Sequence, residues 1–130
     1  MIAVDTSALV AIVLGEPDAE SFLAALQAHP AIVGAPTTIE AAIVVEARQG
    51  PDAARDLHLL LEGAVDEVAP FDADHAAAAV EAWRRFGKGR HPAGLNFGDC
   101  LSYATARVHH VPLLFKGEDF ARTDIAAVRL

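Results

Sequence analysis

Residues 1–13 of the chain read MIAVDTSALVAIV, and this stretch indicates the fold class. Ile2 to Val4 is a short apolar run, which predicts a buried β-strand. The run stops at Asp5, and apolar residues resume after Thr6 and Ser7, which predicts a helix from about residue 7 to residue 14. An acid therefore stands where the first strand ends. It either caps the helix or is held there because its charge has a function.

The rest of the chain repeats this alternation of short apolar runs and longer helical segments. The connections between these segments are too short to contain further elements of secondary structure. This alternation favours an α/β protein with a parallel sheet covered by helices on both faces. Further strands are predicted in AIVGAP (31–36), VDEVAPF (65–71), VPLLFK (111–116) and AAVRL (126–130), and further helices at about 18–29, 37–50, 52–61, 72–86 and 96–110.

Length and composition suit one compact domain spanning residues 1–130, since 53% of the residues are hydrophobic. The single cysteine, Cys100, excludes an internal disulfide and a cysteine-based zinc site, and it favours a reducing cytoplasm. Asp5 interrupts the N-terminal apolar run, so neither a signal peptide nor a membrane span is expected.

The formal net charge of −8 argues against a protein that coats nucleic acid non-specifically, because such proteins are basic. The same charge is compatible with a nuclease. An enzyme that holds a divalent cation gathers acids around the metal, and the metal then reverses the local sign of the charge.

Four acids occupy comparable positions along the predicted elements. Asp5 follows the first strand, Glu40 lies in the first turn of the helix after the second strand, Asp99 lies in the first turn of a later helix, and Asp119 follows the fourth strand. All four are therefore expected at the carboxyl edge of the sheet, where parallel α/β proteins bind their ligands.

Each acid also has an ordinary structural explanation. Thr37 and Glu40 have the spacing of a capping box, as do Asn96 and Asp99, and Asp119 suits a turn. Carboxylates gathered in one cleft repel one another, however, and a bound Mg²⁺ or Mn²⁺ would remove that repulsion. Four acids together therefore favour a metal-dependent reaction on a phosphate ester.

Four blocks of the sequence resemble the conserved blocks of PIN-domain ribonucleases, specifically the VapC-type toxins of bacterial toxin–antitoxin systems. The blocks cover nearly the whole chain in the family's order. They are MIAVDTSALVAIVLGEPDAE (1–20), TTIEAAIVV (37–45), LNFGDCLSYATA (95–106) and LLFKGEDFARTDI (113–125).

The resemblance implies a three-layer α/β/α fold with about five strands and a Mg²⁺-dependent endoribonuclease, with Mn²⁺ able to substitute. It implies that Asp5 and Asp99 bind the metal, and that Glu40 and Asp119 complete the site directly or through water. Thr6 or Ser7 would hydrogen-bond to Asp5 or to a water on the metal. The second acid of the last block, Asp124, would lie just outside the ligands.

The family likeness also implies partners: an RNA substrate, a homodimer and a cognate antitoxin that covers the cleft. Transfer RNA is the favoured substrate, although ribosomal and messenger RNA stay open. No membrane partner is expected.

A cluster of basic residues stands out in this acidic chain. Arg84, Arg85, Lys88 and Arg90 are four of its ten lysines and arginines and lie in or beside the glycine-containing loop 87–94. They either complement the end of a helix dipole or form a mobile rim that binds RNA phosphates. Lys116 follows the fourth strand and is a further candidate for contact with RNA or with an acid.

Two rival functions remain open at this stage. A phosphatase with an aspartyl nucleophile typically has a second acid two residues after the first, but Ser7 occupies that position after Asp5. A catalytically inactive binding module is the other rival, and the presence of all four acids argues against it.

Overall fold

The computed structural model describes all residues from 1 to 130, and its centre is a parallel sheet. The strands are β1 (Ile2–Val4), β2 (Ala31–Gly34), β3 (Glu67–Ala69) and β4 (Leu113–Leu114), in the spatial order β3-β2-β1-β4. Because all neighbours run parallel, every strand delivers its carboxyl end to the same edge of the sheet.

The prediction of about five strands was wrong by one. The segment AAVRL forms only an isolated parallel bridge between Ala127 and Leu113. The Leu113 amide donates to Ala126 (2.8 Å) and the Val128 amide donates to Leu113 (3.0 Å). β4 itself has only two residues, so a longer fifth strand finds no further partner at this edge.

Six helices and one short 3₁₀ turn connect the strands. They are α1 (Thr6–Val13), α2 (Ala19–Ala28), α3 (Ala35–Gln49), α4 (Pro51–Ala64), α5 (Ala73–Phe86), α6 (Phe97–His109) and the 3₁₀ turn Phe120–Arg122. None of the helices is both long enough and apolar enough to cross a lipid bilayer.

Alternation along the strands divides the core into two layers. Val4, Val33 and Leu114 belong to one buried cluster, which packs against α1 to α4, whereas their strand neighbours belong to a second cluster with residues of α5 and α6. Successive side chains of a strand point to opposite faces of the sheet, so both faces are covered. The predicted three-layer α/β/α architecture is confirmed.

The start of α3 differs from the prediction. The helix begins at Ala35, two residues before Thr37, with Gly34 as its N-cap and Pro36 in its first turn. Thr37 is consequently buried inside the helix, 3.5 Å from the hydroxyl of Ser102, and the expected capping box with Glu40 does not form. Glu40 lies in the second turn, so its carboxylate is free to make another contact.

Candidate active site

Asp5 lies where β1 ends, and its side chain is fixed by the residue two positions later. Its Oδ2 atom accepts hydrogen bonds from the Ser7 amide (3.0 Å) and the Ser7 hydroxyl (2.6 Å). Asp5 is thus the N-cap of α1, as the simpler of the two explanations predicted. Both bonds fall on one oxygen, which leaves Oδ1 available to another ligand.

Ser7 also connects this acid to the neighbouring strand. The backbone amide of Lys116, just beyond β4, donates to the Ser7 hydroxyl oxygen at 2.9 Å. The Lys116 ammonium lies 2.9 Å from Glu16 and 3.3 Å from Asp18, and the hydrogen bond to Glu16 is the main reason that its pKa is raised. Lys116 therefore pairs with two acids outside the predicted four.

Glu40 contacts both α1 and α6. Its Oε1 atom accepts a hydrogen bond from the hydroxyl of Thr6, at 2.5 Å. Its other oxygen, Oε2, lies against Gly98, where a β-carbon would collide with the carboxylate. Gly98 immediately precedes Asp99, so the absence of a side chain there lets Glu40 approach the N-terminus of α6. Thr6 supports Glu40 rather than Asp5.

Asp99 lies in the first turn of α6 and belongs to the predicted capping box. The Asn96 amide donates to Oδ2 of Asp99 (3.0 Å), and the Asp99 amide donates to the Asn96 side chain (2.8 Å). Burial is the main cause that raises the pKa of Asp99 to about 6, and it outweighs the Asn96 hydrogen bond, which lowers the pKa. The negative charges of the three other acids raise it further.

Three of the predicted acids lie in one region, because Glu40 contacts Thr6, next to Asp5, and Gly98, next to Asp99. Asp5, Glu40 and Asp119 each destabilise the ionised form of Asp99. Asp119 is exposed and directly precedes the 3₁₀ turn. The four acids come from four different segments, and the sheet and helix packing bring them to one edge.

The group offers only oxygen donors, which suits a hard divalent cation such as Mg²⁺. One oxygen each of Asp5, Glu40 and Asp99 is held by a hydrogen bond from the chain, which orients the carboxylate and leaves its second oxygen for a metal. As arranged, no three acids lie close enough to ligate one ion together. Binding of one ion by three or more of these acids therefore requires their side chains to move, and Asp99 and Asp119 are exposed enough to do so.

Asp124 is engaged elsewhere. Its carboxylate accepts a hydrogen bond from the Tyr103 hydroxyl at 2.5 Å and pairs with Arg85 (3.1 Å) and Arg107 (3.4 Å). Burial tends to raise its pKa, but the hydrogen bond from Tyr103 and the two arginines lower it overall. Asp124 thereby fixes the C-terminal segment to α5 and α6.

Only some of the basic residues in and beside loop 87–94 are free of acidic partners. Arg85 is neutralised by Asp124, and Arg84 lies at the limit of an ion pair with Glu81, at 4.0 Å. Arg90 lies over the indole ring of Trp83, with its guanidinium carbon 4.6 Å from the ring centre. Lys88 is exposed and forms no ion pair.

The loop that carries Lys88 is held at both ends. Gly87 and Leu95 form a parallel bridge, in which the Lys88 amide donates to Leu95 and the Leu95 amide donates to Phe86, both at 2.9 Å. The backbone amide of Arg90 donates a further hydrogen bond to the Gly87 carbonyl oxygen, also at 2.9 Å.

Sequence reasoning overlooked two residues of this region. Gly98 has no predicted role, although a glycine one position before an acid at a helix start is a usable signal of close approach. Phe97 has none either, yet it is 81% exposed at the start of α6. No sequence pattern marks that exposure.

Cys100 is buried, as expected of a small core residue. Burial, and secondarily the charge of Asp99, raise the pKa of its thiol to about 11. The thiol is therefore protonated at neutral pH and is a poor nucleophile.

Comparison with known proteins identifies the family of the chain. The PIN domain family model matches residues 2–126. Ribonuclease VapC30 of Mycobacterium tuberculosis is 52% identical over 128 residues, which cover 98% of each chain.

Two solved structures share the fold at lower identity. The first is Mycobacterium tuberculosis VapC20, a sarcin-ricin loop cleaving toxin, with a TM-score of 0.80, 22% identity and full coverage of both chains. The second is a toxin–antitoxin complex from Klebsiella pneumoniae, with a TM-score of 0.73, 19% identity and coverage of 98% of this chain and 97% of that one. The family match and the close relative together establish that the chain belongs to the PIN-domain family, among its VapC ribonucleases.

Proposed function

We propose that this endoribonuclease depends on Mg²⁺ bound by Asp5, Glu40, Asp99 and Asp119, and that it is the toxin of a toxin–antitoxin pair. The observation that carries the proposal is the gathering of these acids around Asp99, where burial and three neighbouring negative charges raise its pKa. A divalent cation at this position would relieve that repulsion, and Mn²⁺ offers the same preference for oxygen ligands.

The proposed role of each residue follows from its contacts. Asp5 and Asp99 would be the principal ligands, and Glu40 and Asp119 would complete the site directly or through water. Ser7 and Thr6 orient Asp5 and Glu40 by donating hydrogen bonds to one oxygen of each.

Bound Mg²⁺ would supply charge neutralisation at the scissile phosphate and a lowered pKa for the attacking water. The chain itself must position the RNA backbone, and its free cations are suited to do so. Lys88 and Arg90 lie on the exposed loop close to α6, where they can bind phosphates on either side of the cut. We expect Asp124 to act indirectly, by holding Arg85 and Tyr103 in place.

The proposal includes two protein partners, a second copy of the chain and an antitoxin, and a cytoplasmic location. Ile39 and Ile43 support an interface on α3, because their side chains are 61% and 63% exposed one turn apart on a helix beside the acids. The toxin–antitoxin complex from Klebsiella pneumoniae supports the antitoxin by its shared fold. Light scattering that gives a monomer at micromolar concentration would contradict the homodimer.

The direct test is cleavage of total cellular RNA by purified, antitoxin-free protein, with cut sites mapped by sequencing. Reactions contain Mg²⁺, Mn²⁺ or EDTA and compare the wild type with Asp99→Asn. Asp56→Asn, an exposed acid on α4, is the matched control. We expect discrete metal-dependent cuts with the wild type and the control only, and the mapped sites would show whether transfer RNA is the substrate.

Intact RNA in every reaction, from folded protein, would contradict the proposal and favour one of the two rivals. Hydrolysis of a small phosphomonoester under the same conditions would then indicate a phosphatase. No hydrolysis of either substrate would favour a binding module that has lost catalysis.

A further inference from the structure

A cavity of about 490 Å³ opens between α5 and the N-terminal part of α6. Most of its lining is apolar, and its volume falls in the range typical of small-ligand sites. The residues that matter for its chemistry are Trp83, Lys88, Leu95, Asn96, Phe97 and Cys100.

Two aromatic side chains define this cavity. Phe97 is the most exposed large hydrophobic residue of the chain, at 81%, and Trp83 is 46% exposed. The Phe97 ring is therefore accessible to a ligand that enters the cavity. Phe97 is the first residue of α6, and its ring lies on the side of the helix that Cys100 and Leu101 share, facing α5.

The surroundings of the rings are cationic. The Arg90 guanidinium lies 4.6 Å from the centre of the Trp83 ring, and Lys88 lines the same cavity without an ion pair. In a chain of net charge −8, these cations mark a place where a polyanion is attracted. The Trp83 ring is packed against Gly87, where a β-carbon would lie 2.6 Å from it, so this wall is held in place.

We propose that this cavity binds one unpaired nucleobase of the RNA by stacking it on Phe97. The inference rests on the proposed ribonuclease function and adds a base-binding subsite to it. Aromatic stacking accepts the π-face of any base, and nearby Lys88 and Arg90 would bind the flanking phosphates. Asn96, whose side chain also lines the cavity, has an amide nitrogen that can donate to a base edge.

The test measures binding rather than cleavage. The probe is a single-stranded oligoadenylate about twelve nucleotides long that carries one 2-aminopurine, whose fluorescence falls when the base stacks. All proteins carry Asp99→Asn, so that the probe stays intact in Mg²⁺. Phe97→Leu keeps an apolar side chain but removes the π-face, and Phe97→Trp keeps a stacking ring. Leu59→Ala, an exposed apolar residue on α4, is the matched control.

We expect Phe97→Leu to raise the dissociation constant of the probe about tenfold or more and to abolish the fluorescence change. Phe97→Trp and Leu59→Ala should bind like the parent protein. Thermal unfolding should be unchanged in all three variants, because each replaced side chain is more than half exposed.

Two results would overturn the subsite. One is equal binding and equal fluorescence change by the Phe97→Leu protein. The other is unchanged RNA binding with an altered molecular mass in light scattering, which would assign Phe97 to a protein interface. In either case, metal-dependent RNA cleavage by the chain with native Asp99 would leave the proposed function standing. A probe that binds through Phe97, together with total cellular RNA left intact by the native chain, would overturn the function and keep the subsite.

Discussion

Ser7 donates two hydrogen bonds to the same oxygen of Asp5, one from its amide at 3.0 Å and one from its hydroxyl at 2.6 Å. The hydroxyl oxygen in turn accepts the Lys116 amide, so β4 and the start of α1 orient the same carboxylate. The acid at the end of β1 is thus a helix cap whose carboxylate is held in one orientation.

Replacing Ser7 with alanine should therefore uncouple Asp5 from its support. Loss of a hydrogen bond to a charged group costs about 1.5–3 kcal/mol in the free energy of unfolding, and loss of an orienting partner typically lowers metal affinity about 10- to 100-fold. Urea unfolding and Mn²⁺ titration measure the two effects. Ser7→Thr, which keeps the hydroxyl, should restore most of the affinity. Equal Mn²⁺ affinity of the alanine variant and the wild type would contradict this role of Ser7.

Gly98→Ala should separate stability from activity. An added β-carbon collides only with the carboxylate of Glu40, which is the far end of a flexible side chain and can move away. Alanine is also up to about 1 kcal/mol better than glycine within a helix. We expect an unchanged or higher melting temperature together with a clear loss of RNA cleavage. Full cleavage activity in a stable Gly98→Ala protein would show that the position of Glu40 is unimportant.

The pKa of Asp99, raised from 3.8 to about 6, predicts a pH-dependent effect of its removal. Between pH 3.8 and pH 6, Asp99 is protonated in the folded chain but ionised in the unfolded chain. The contribution of Asp99 to the free energy of unfolding is therefore full below pH 3.8 and is lost as the pH rises through 6. The asparagine side chain of the Asp99→Asn variant cannot ionise. In EDTA, this substitution should therefore stabilise the chain more at pH 7.5 than at pH 4.5.

Urea unfolding of both proteins at the two pH values measures this difference. Asp56→Asn is the control, since this exposed acid of α4 lies outside the acidic group. A stability difference between wild type and Asp99→Asn that is the same at both pH values would contradict the raised pKa.

The basic residues should differ in their effect on RNA binding. Lys88 and Arg90 are free of acidic partners, whereas Arg85 is paired with Asp124 at 3.1 Å. Replacing both Lys88 and Arg90 with alanine should reduce the slope of log affinity against log salt by about 2 if each contacts a phosphate. Arg85→Ala should change that slope less. Filter binding of labelled RNA between low and high salt measures both, and an unchanged slope in the double variant would exclude phosphate contacts there.

Much of the fold could be predicted from sequence because the strands are continuous apolar runs. Ile2–Val4 and Ala31–Gly34 are buried on both faces, which is the pattern of a central parallel strand. AAVRL carries the same kind of residues but has only one partner position, at Leu113. Whether such a segment becomes a strand depends on the edge that it meets, and local sequence does not encode that edge.

The places of the four acids at strand ends and helix starts could be predicted from the sequence, but the contacts of their side chains could not. Thr37 and Glu40 have ideal capping-box spacing, yet Pro36 can occupy the first turn, so the helix starts earlier and Thr37 is buried. The same shift sends Glu40 to Thr6 and Gly98, which are both distant from it along the chain. Contacts over such separations depend on tertiary packing.

We propose that four acids from separate segments form one metal site. The most direct measurement is calorimetric titration of Mn²⁺ into the wild type, the four single variants Asp5→Asn, Glu40→Gln, Asp99→Asn and Asp119→Asn, and the control Asp56→Asn. We expect saturable binding to the wild type and the control, and binding weakened about tenfold or more by each replacement within the group. Wild-type affinity in the Asp5→Asn and Asp99→Asn proteins would contradict the claim.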